Sequence, residues 1–451
     1  MHSTSTTKSW FPRLVALSVA LSFSVASPGC SNPDQPKYWA KKIKKPAFRE
    51  QAIKEREGIY LERLNAAKGD RQDPAVKEAC DVMIPALVET FNKYKTDNAG
   101  RSAISSLLST MQDPRGIPVF EELLTYQKGI TETDASRAAE TLGVLGSEES
   151  VPKIISMIDA VKADRGSEGR NRPEDDWMVR SGVEALGKIL LAHPDSSHRA
   201  AAVATLNAAL ETTADQQDFF INKVAAVALG NVSDPQSIPV LIRGLFFQGR
   251  GATVFQQCRV ALLRVSVEHR SEVIDQLFKA YKGEMKELEA DAQRFSFFHG
   301  IKENKIGLMF YELRIDPQKD KAIFDLMLQR VKDPEIDKEG VLQGMAAETL
   351  AMLGYPGMID YVLEITAKKE WYNDSFGYKI FASFMSGIVG THSLKMPMSF
   401  DPRLAALFLR IMDEMKGDSN APFRASGGLL VSMIGSAEDA KVFAELTEKE
   451  E

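Results

Sequence analysis

The chain has 451 residues, 44% hydrophobic and 26% charged, which is globular composition and excludes a disordered or fibrous protein. Three cysteines and six histidines exclude a disulfide-stapled scaffold and any zinc site built on paired cysteines, so no metal or other cofactor is expected. A net charge of −6 argues against general nucleic-acid binding, which needs a basic face to neutralise phosphates.

The N-terminus carries the first readable element. Lys8 and Arg13 form a positive region with no acid before Asp34, and Leu14 to Val25 is a mostly apolar run of 12 residues. Such a run is too short to span a bilayer and suits the core of a signal peptide. It leads into Ser27-Pro28-Gly29-Cys30 and then a polar, Pro-containing stretch. A small residue before a cysteine and its tether resembles the lipobox of bacterial lipoproteins. The resemblance implies cleavage before Cys30 and diacylglycerol on its sulfur. Plain secretion with cleavage near Gly29, or a retained anchor, are the alternatives. The expected division is a signal peptide over 1–29, a lipidated Cys30 with its tether over 30–37, and a folded region over 38–451. Removing 1–29 takes away two basic residues and no acid, which carries the net charge from −6 to −8. Lys37, Lys41, Lys42, Lys44, Lys45 and Arg49 follow, interleaved with Tyr38 and Trp39. They read as a solvated helix face, because Ile43-Lys44-Lys45-Pro46 has the shape of Val331-Lys332-Asp333-Pro334, a boundary far downstream. Contact with anionic headgroups is the other reading.

From there the chain repeats itself. Ala225-Ala226-Val227-Ala228-Leu229-Gly230 runs through Asp234-Pro235 to Ile238-Pro239-Val240-Leu241. Ala138 to Gly146 followed by Val151-Pro152, and Ala346 to Gly354, are further copies, with weaker ones at Met111 to Pro118, Arg180 to Gly187 and Gly427 to Val442. Ala and Leu at three- and four-residue spacing predict an apolar helix stripe, and its small residues let a neighbouring helix come close. Gly and then Asp-Pro predict a helix stop, and the second Pro suits the first turn of the next helix. Turns are predicted at Asp73, Asp113, Ser147, Asp195, Asp234, His269, Asp316, Tyr355, Asp401 and Ser436, a mean spacing of about 40. The motif string resembles the short HEAT repeats of bacteria, including those related to phycobilisome lyases, over roughly residues 38–448. The resemblance implies an all-α fold, an α-solenoid of about nine or ten HEAT-like helical hairpins, without a sheet and in place of the three domains that length alone suggests. Cys80 and Cys258 then lie several repeats apart and should not pair.

Two stretches depart from the period. Lys162 to Asp176 holds nine charged residues in fifteen and reads as an inter-helix loop. Trp371, Tyr372, Phe376, Tyr378, Phe381 and Phe384 crowd the other. Trp371, Tyr372 and Phe376 are nominated as a contact patch, since interfaces draw most of their energy from aromatic and Arg anchors. The competing account puts them in the seam between hairpins. Arg137, Arg180, Lys223, Arg259 and Arg424 head several first helices. They form either an inner groove for acidic peptides or anionic polymer, or a set of ion pairs with adjacent repeats. Arg137, Arg180 and Arg424 are kept as weaker groove candidates.

No catalytic constellation emerges. Gly249-Arg250-Gly251 lacks the third glycine and the preceding strand of a dinucleotide loop, and Glu268-His269 is a single turn pair. The expectation is a non-enzymatic, lipid-anchored interaction scaffold of the bacterial cell envelope, held to the membrane by lipid on Cys30, whose concave face takes a protein partner and no nucleic acid. An enzyme, or an enzyme's accessory subunit, with a cryptic site between helices is the alternative. A groove of exposed aromatics and arginines favours the scaffold; a pocket of converging polar groups favours the enzyme.

Overall fold

The computed structural model describes residues 36–165, 169–294, 299–368, 370–393, 401–414, 428, 431 and 435–448. It divides into two compact units, Met1–Tyr94 and Lys95–Glu451, with the boundary inside what the repeat pattern reads as one array. In the first unit α1 (Pro36–Lys42), α2 (Arg49–Ala66) and α3 (Pro74–Lys93) pack on one another. Asp73 caps α3 by accepting from the Ala75 N–H at 2.8 Å, and Pro74 follows where a missing N–H costs nothing. Ile43, Ile53, Tyr60, Met83, Leu87 and Phe91 fill its core.

The second unit is a succession of helix pairs. They are α4 (Asn98–Met111) with α5 (Ile117–Leu123), α6 (Glu132–Leu145) with α7 (Val151–Ala163), and α8 (Pro173–Ala192) with α9 (Arg199–Glu211). Then come α10 (Phe219–Val232) with α11 (Ile238–Gly244), the long α12 (Phe255–Lys282), and the short α13 (Lys286–Arg294). The series continues with α14 (His299–Glu312) and α15 (Lys321–Lys332), α16 (Val341–Met352) and α17 (Pro356–Thr366), α18 (Ser375–Ser393) and α19 (Arg403–Glu414), and α20 (Ala437–Glu448). The fold is all-α. First helix packs on first helix: α6 on α8, α8 on α10, α10 on α12, and α14 on α16 on α18.

The turn chemistry explains the breaks. Ser233 takes left-handed angles (φ 54°), and Asp234 then accepts from the Gln236 N–H at 3.0 Å. Gln112 (φ 51°) and Asp113 repeat the arrangement. Pro118, Pro152 and Pro239 sit in the first turns of α5, α7 and α11. The repeated glycine of the motif does something else. Gly143, Gly187 and Gly230 lie inside their helices, where a Cβ would stand 2.8 Å from Ala185 Cα, 2.7 Å from Ala228 Cβ and 2.7 Å from Ala261 Cα. These glycines set how closely first helices stack; the stop itself falls three residues later at Gly146 (φ 66°) and Ser233.

Four features differ from the sequence reading. At His269 the backbone leaves helical angles (φ −120°, ψ 40°), but α12 kinks without a loop, since no Gly or Pro stands there. An extra helix, α13, is pinned where Arg243 donates to Glu211 Oε1 at 2.6 Å and to Asp291 Oδ1 at 3.1 Å. The fold also contains a short antiparallel ladder, Gln248 with Thr253 and Gly249 with Ala252. Its turn is Arg250 (φ 49°) and Gly251 (φ 76°), two consecutive positive angles that suit a tight hairpin. Finally, the charged stretch from Lys162 to Asp176 is only partly loop, because α8 begins at Pro173 and buries Asp175 and Asp176.

Candidate functional site

Helix phase decides which side chains of α8 and α10 face solvent. On α8, Trp177, Arg180, Glu184, Lys188 and Leu191 recur at three- and four-residue steps, opposite the buried Val179, Val183, Leu186 and Leu190. On α10, Phe220, Lys223, Val227 and Asn231 do the same. Because Gly187 lets α10 approach at Ala228, the two outer faces meet in one groove of about 320 Å³, to which Gln257 of α12 also contributes. That volume is at the small end for a ligand cleft and matches a few side chains. Trp177 is 57% exposed, Phe220 48% and Val227 44%, large apolar groups held in water on adjacent helices. The Arg180 guanidinium lies 4.9 Å from the centre of the Phe220 ring, and its Nε donates to Glu184 Oε1 at 3.1 Å. Arg264 reaches Asn231 at the groove's edge.

A buried polar network fixes this arrangement from below. Asp218 accepts from the Phe220 N–H at 2.9 Å, which places Phe219 inward and Phe220 outward. Asp218 in turn donates its N–H to Asp176 Oδ2 at 2.9 Å, while Asn171 Nδ2 donates to Asp176 Oδ1 at 3.0 Å. The Asn171 N–H donates to the Gln216 carbonyl at 2.9 Å, and buried Asn222 donates to the Leu210 and Thr212 carbonyls, each at 2.6 Å. Burial pushes the Asp176 carboxyl up to about 6, against the two donated hydrogen bonds that favour its charged form.

The nominated residues do not converge. Trp371 is 3% exposed, edge-on to Phe381 at 4.8 Å and stacked with Tyr378 at 6.5 Å. It is therefore a seam-filling core residue and is withdrawn as a contact residue: it leads a short turn whose neighbouring helix α18 closes over the indole. Tyr372 is 37% exposed and Phe376 half-buried beside it. Arg137 donates to Asp134 Oδ1 at 3.0 Å and Ser105 Oγ at 3.1 Å, so it ties α6 to α4. Arg259 pairs with Glu312 at 3.4 Å. Lys223 lines the groove, and Arg180 stacks on the groove-lining Phe220. Cys30 and Arg424 lie outside the described residues. The sequence reading missed Trp177 and Phe220; the signal was Trp177 three and seven residues before Arg180 and Glu184, and Phe220 three residues before Lys223, each on a helix with an apolar opposite face.

A larger hollow of about 760 Å³ between α16 and α18 is bordered by Lys338 and Lys379 but equally by Glu339 and Glu348. Among the described residues, no three or more His, Cys, Asp or Glu side chains are grouped to hold a metal, and no helix is long and apolar enough to cross a membrane. Compared with protein-family models and with curated protein sequences, the chain matches none.

Proposed function

We propose that this protein is an exported, lipid-anchored interaction scaffold of the bacterial cell envelope, with HEAT-like helix pairs as its frame and the groove across α8, α10 and α12 as its binding face. The observation that carries the reading is the set of exposed anchors, Trp177 and Phe220 with Arg180 stacked on the latter, on rigid neighbouring helices. Exposed aromatics beside arginine are what a protein interface desolvates to gain affinity, and burying each is worth about 2 kcal/mol or more at a hot spot. Fixing them on helices lowers the ordering cost of binding. The export and lipid parts of the proposal stand on Lys8, Arg13, the apolar run and Gly29-Cys30.

Chemical crosslinking and pull-down from solubilised membranes test the scaffold. A discrete protein partner retained by the native chain and lost from Trp177→Ser/Phe220→Ser is the expected result; equal recovery by both chains refutes the assignment of the face. Mass spectrometry of the mature N-terminus tests the anchor, which a free Ser31 or an unmodified Cys30 thiol refutes.

A further inference from the structure

The groove's charge is opposite to that of the chain around it. In a protein of net charge −6, the groove lining carries two cations, Lys188 and Lys223, against one carboxylate, Glu184, with Arg180 and Arg264 held next to it on Phe220 and Asn231. That carboxylate is already neutralised by Arg180 on the same helix. Among the described residues, Lys188 and Lys223 enter no ion pair or hydrogen bond, and both line the groove. Between them lies an apolar floor made by Phe220, Val224, Val227 and Ala228. We infer that the groove takes an acidic segment of a partner protein, one apolar side chain seated against Phe220 and Val227 with flanking carboxylates on Lys188 and Lys223.

The geometry favours a peptide over a phosphate-bearing surface. Phosphate recognition converges donors on one point, often through a bidentate arginine. Here Arg180 is committed to Glu184 and to the Phe220 ring and Arg264 to Asn231, and the two ammoniums that line the groove, Lys188 and Lys223, stand on different helices with apolar surface between them. That spacing suits charges separated along a chain, and opposite charges across an interface steer encounter and fix register.

This inference rests on the scaffold reading of the same face, and the test separates the two. Solubilised full-length protein is titrated into three fluorescent peptide pools and read by anisotropy. The first pool has Asp/Glu around a central Leu, Phe or Trp; the second replaces the acids by Lys/Arg; the third keeps the acids around a central Gly. The expected result is binding of the first pool alone, weakened at least about tenfold by Lys188→Glu/Lys223→Glu and by Phe220→Ala, and weakened by salt. The melting temperature, unchanged in both variants, excludes unfolding as the cause. Equal binding of the first and second pools, or of the first and third, overturns the inference. So does recruitment of phosphatidylglycerol vesicles through Lys188 and Lys223 with no peptide binding, which would assign the face to a membrane. If every pool fails while Trp177→Ser/Phe220→Ser still loses the crosslinked partner, the acidic class is wrong and the scaffold stands; if neither effect is seen, both fall.

Discussion

Gly187→Ala should loosen the stack of α8 on α10, although alanine is the better helix former. The new Cβ would stand 2.7 Å from Ala228 Cβ and 3.2 Å from Ala228 Cα, neither of which is the movable end of a flexible side chain. Carbon atoms rest at about 3.5–4.0 Å, so the helices must part by roughly 1 Å. Overpacking of this kind costs about 1–3 kcal/mol, and replacing glycine returns about 0.8–1.0 kcal/mol of helix propensity. The net expectation is a destabilisation of up to about 2 kcal/mol, or up to roughly 30-fold faster amide exchange in peptides from α8 and α10. Gly58, inside α2, is the control: a Cβ there meets nothing within 4 Å. Gly58→Ala should slow exchange in α2 by about 4–5-fold, the propensity gain alone. Hydrogen-exchange mass spectrometry reads both locally, without assuming that the whole chain unfolds in one step. Slower exchange in α8 and α10 of Gly187→Ala would refute the argument that this glycine sets the helix spacing.

Two further outcomes follow from the buried groups. Asp176 has its folded carboxyl pushed up to about 6 by burial, above the ordinary value of 3.8. The folded state therefore binds the proton first as pH falls, and stability gained from this group grows through pH 7 to 5 by about 1 kcal/mol. A melting temperature that rises across that window in the native chain, and rises less in Asp176→Asn, is expected; identical slopes would contradict it. Trp371→Ala should cost about 3–5 kcal/mol as a large buried side chain, whereas Trp177→Ala should move the melting temperature little. A reversed order in thermal denaturation would return Trp371 to the surface.

What the sequence makes legible is what local chemistry decides. Asp113, Ser147, Asp234, Asp316 and Tyr355 each fall between two helices because a left-handed cap, an aspartate or a proline acts within a few residues. His269 carries none of these signals, so its position in the period was readable but its form, a kink within α12, was not. The extra helix α13 lies outside the motif and is held by Arg243, whose partners are 32 and 48 residues away. The site shows the same split. Arg180 and Lys223 were found from their place at the head of a repeat, but aromatic density pointed to Trp371, and density does not say which way a ring faces. Phase does: Trp177 shares a face with Arg180 and Glu184, and the cap at Asp218 turns Phe219 in and Phe220 out.

The central claim, that the face built by α8 and α10 holds a partner protein, is tested most directly by a photoreactive residue at position 220 in living cells. Benzoylphenylalanine at Phe220 is predicted to give one discrete crosslinked product, absent when the probe is moved to the exposed Lys319 and lost on Lys188→Glu/Lys223→Glu. No product at position 220, or the same product from positions 220 and 319, would contradict the account.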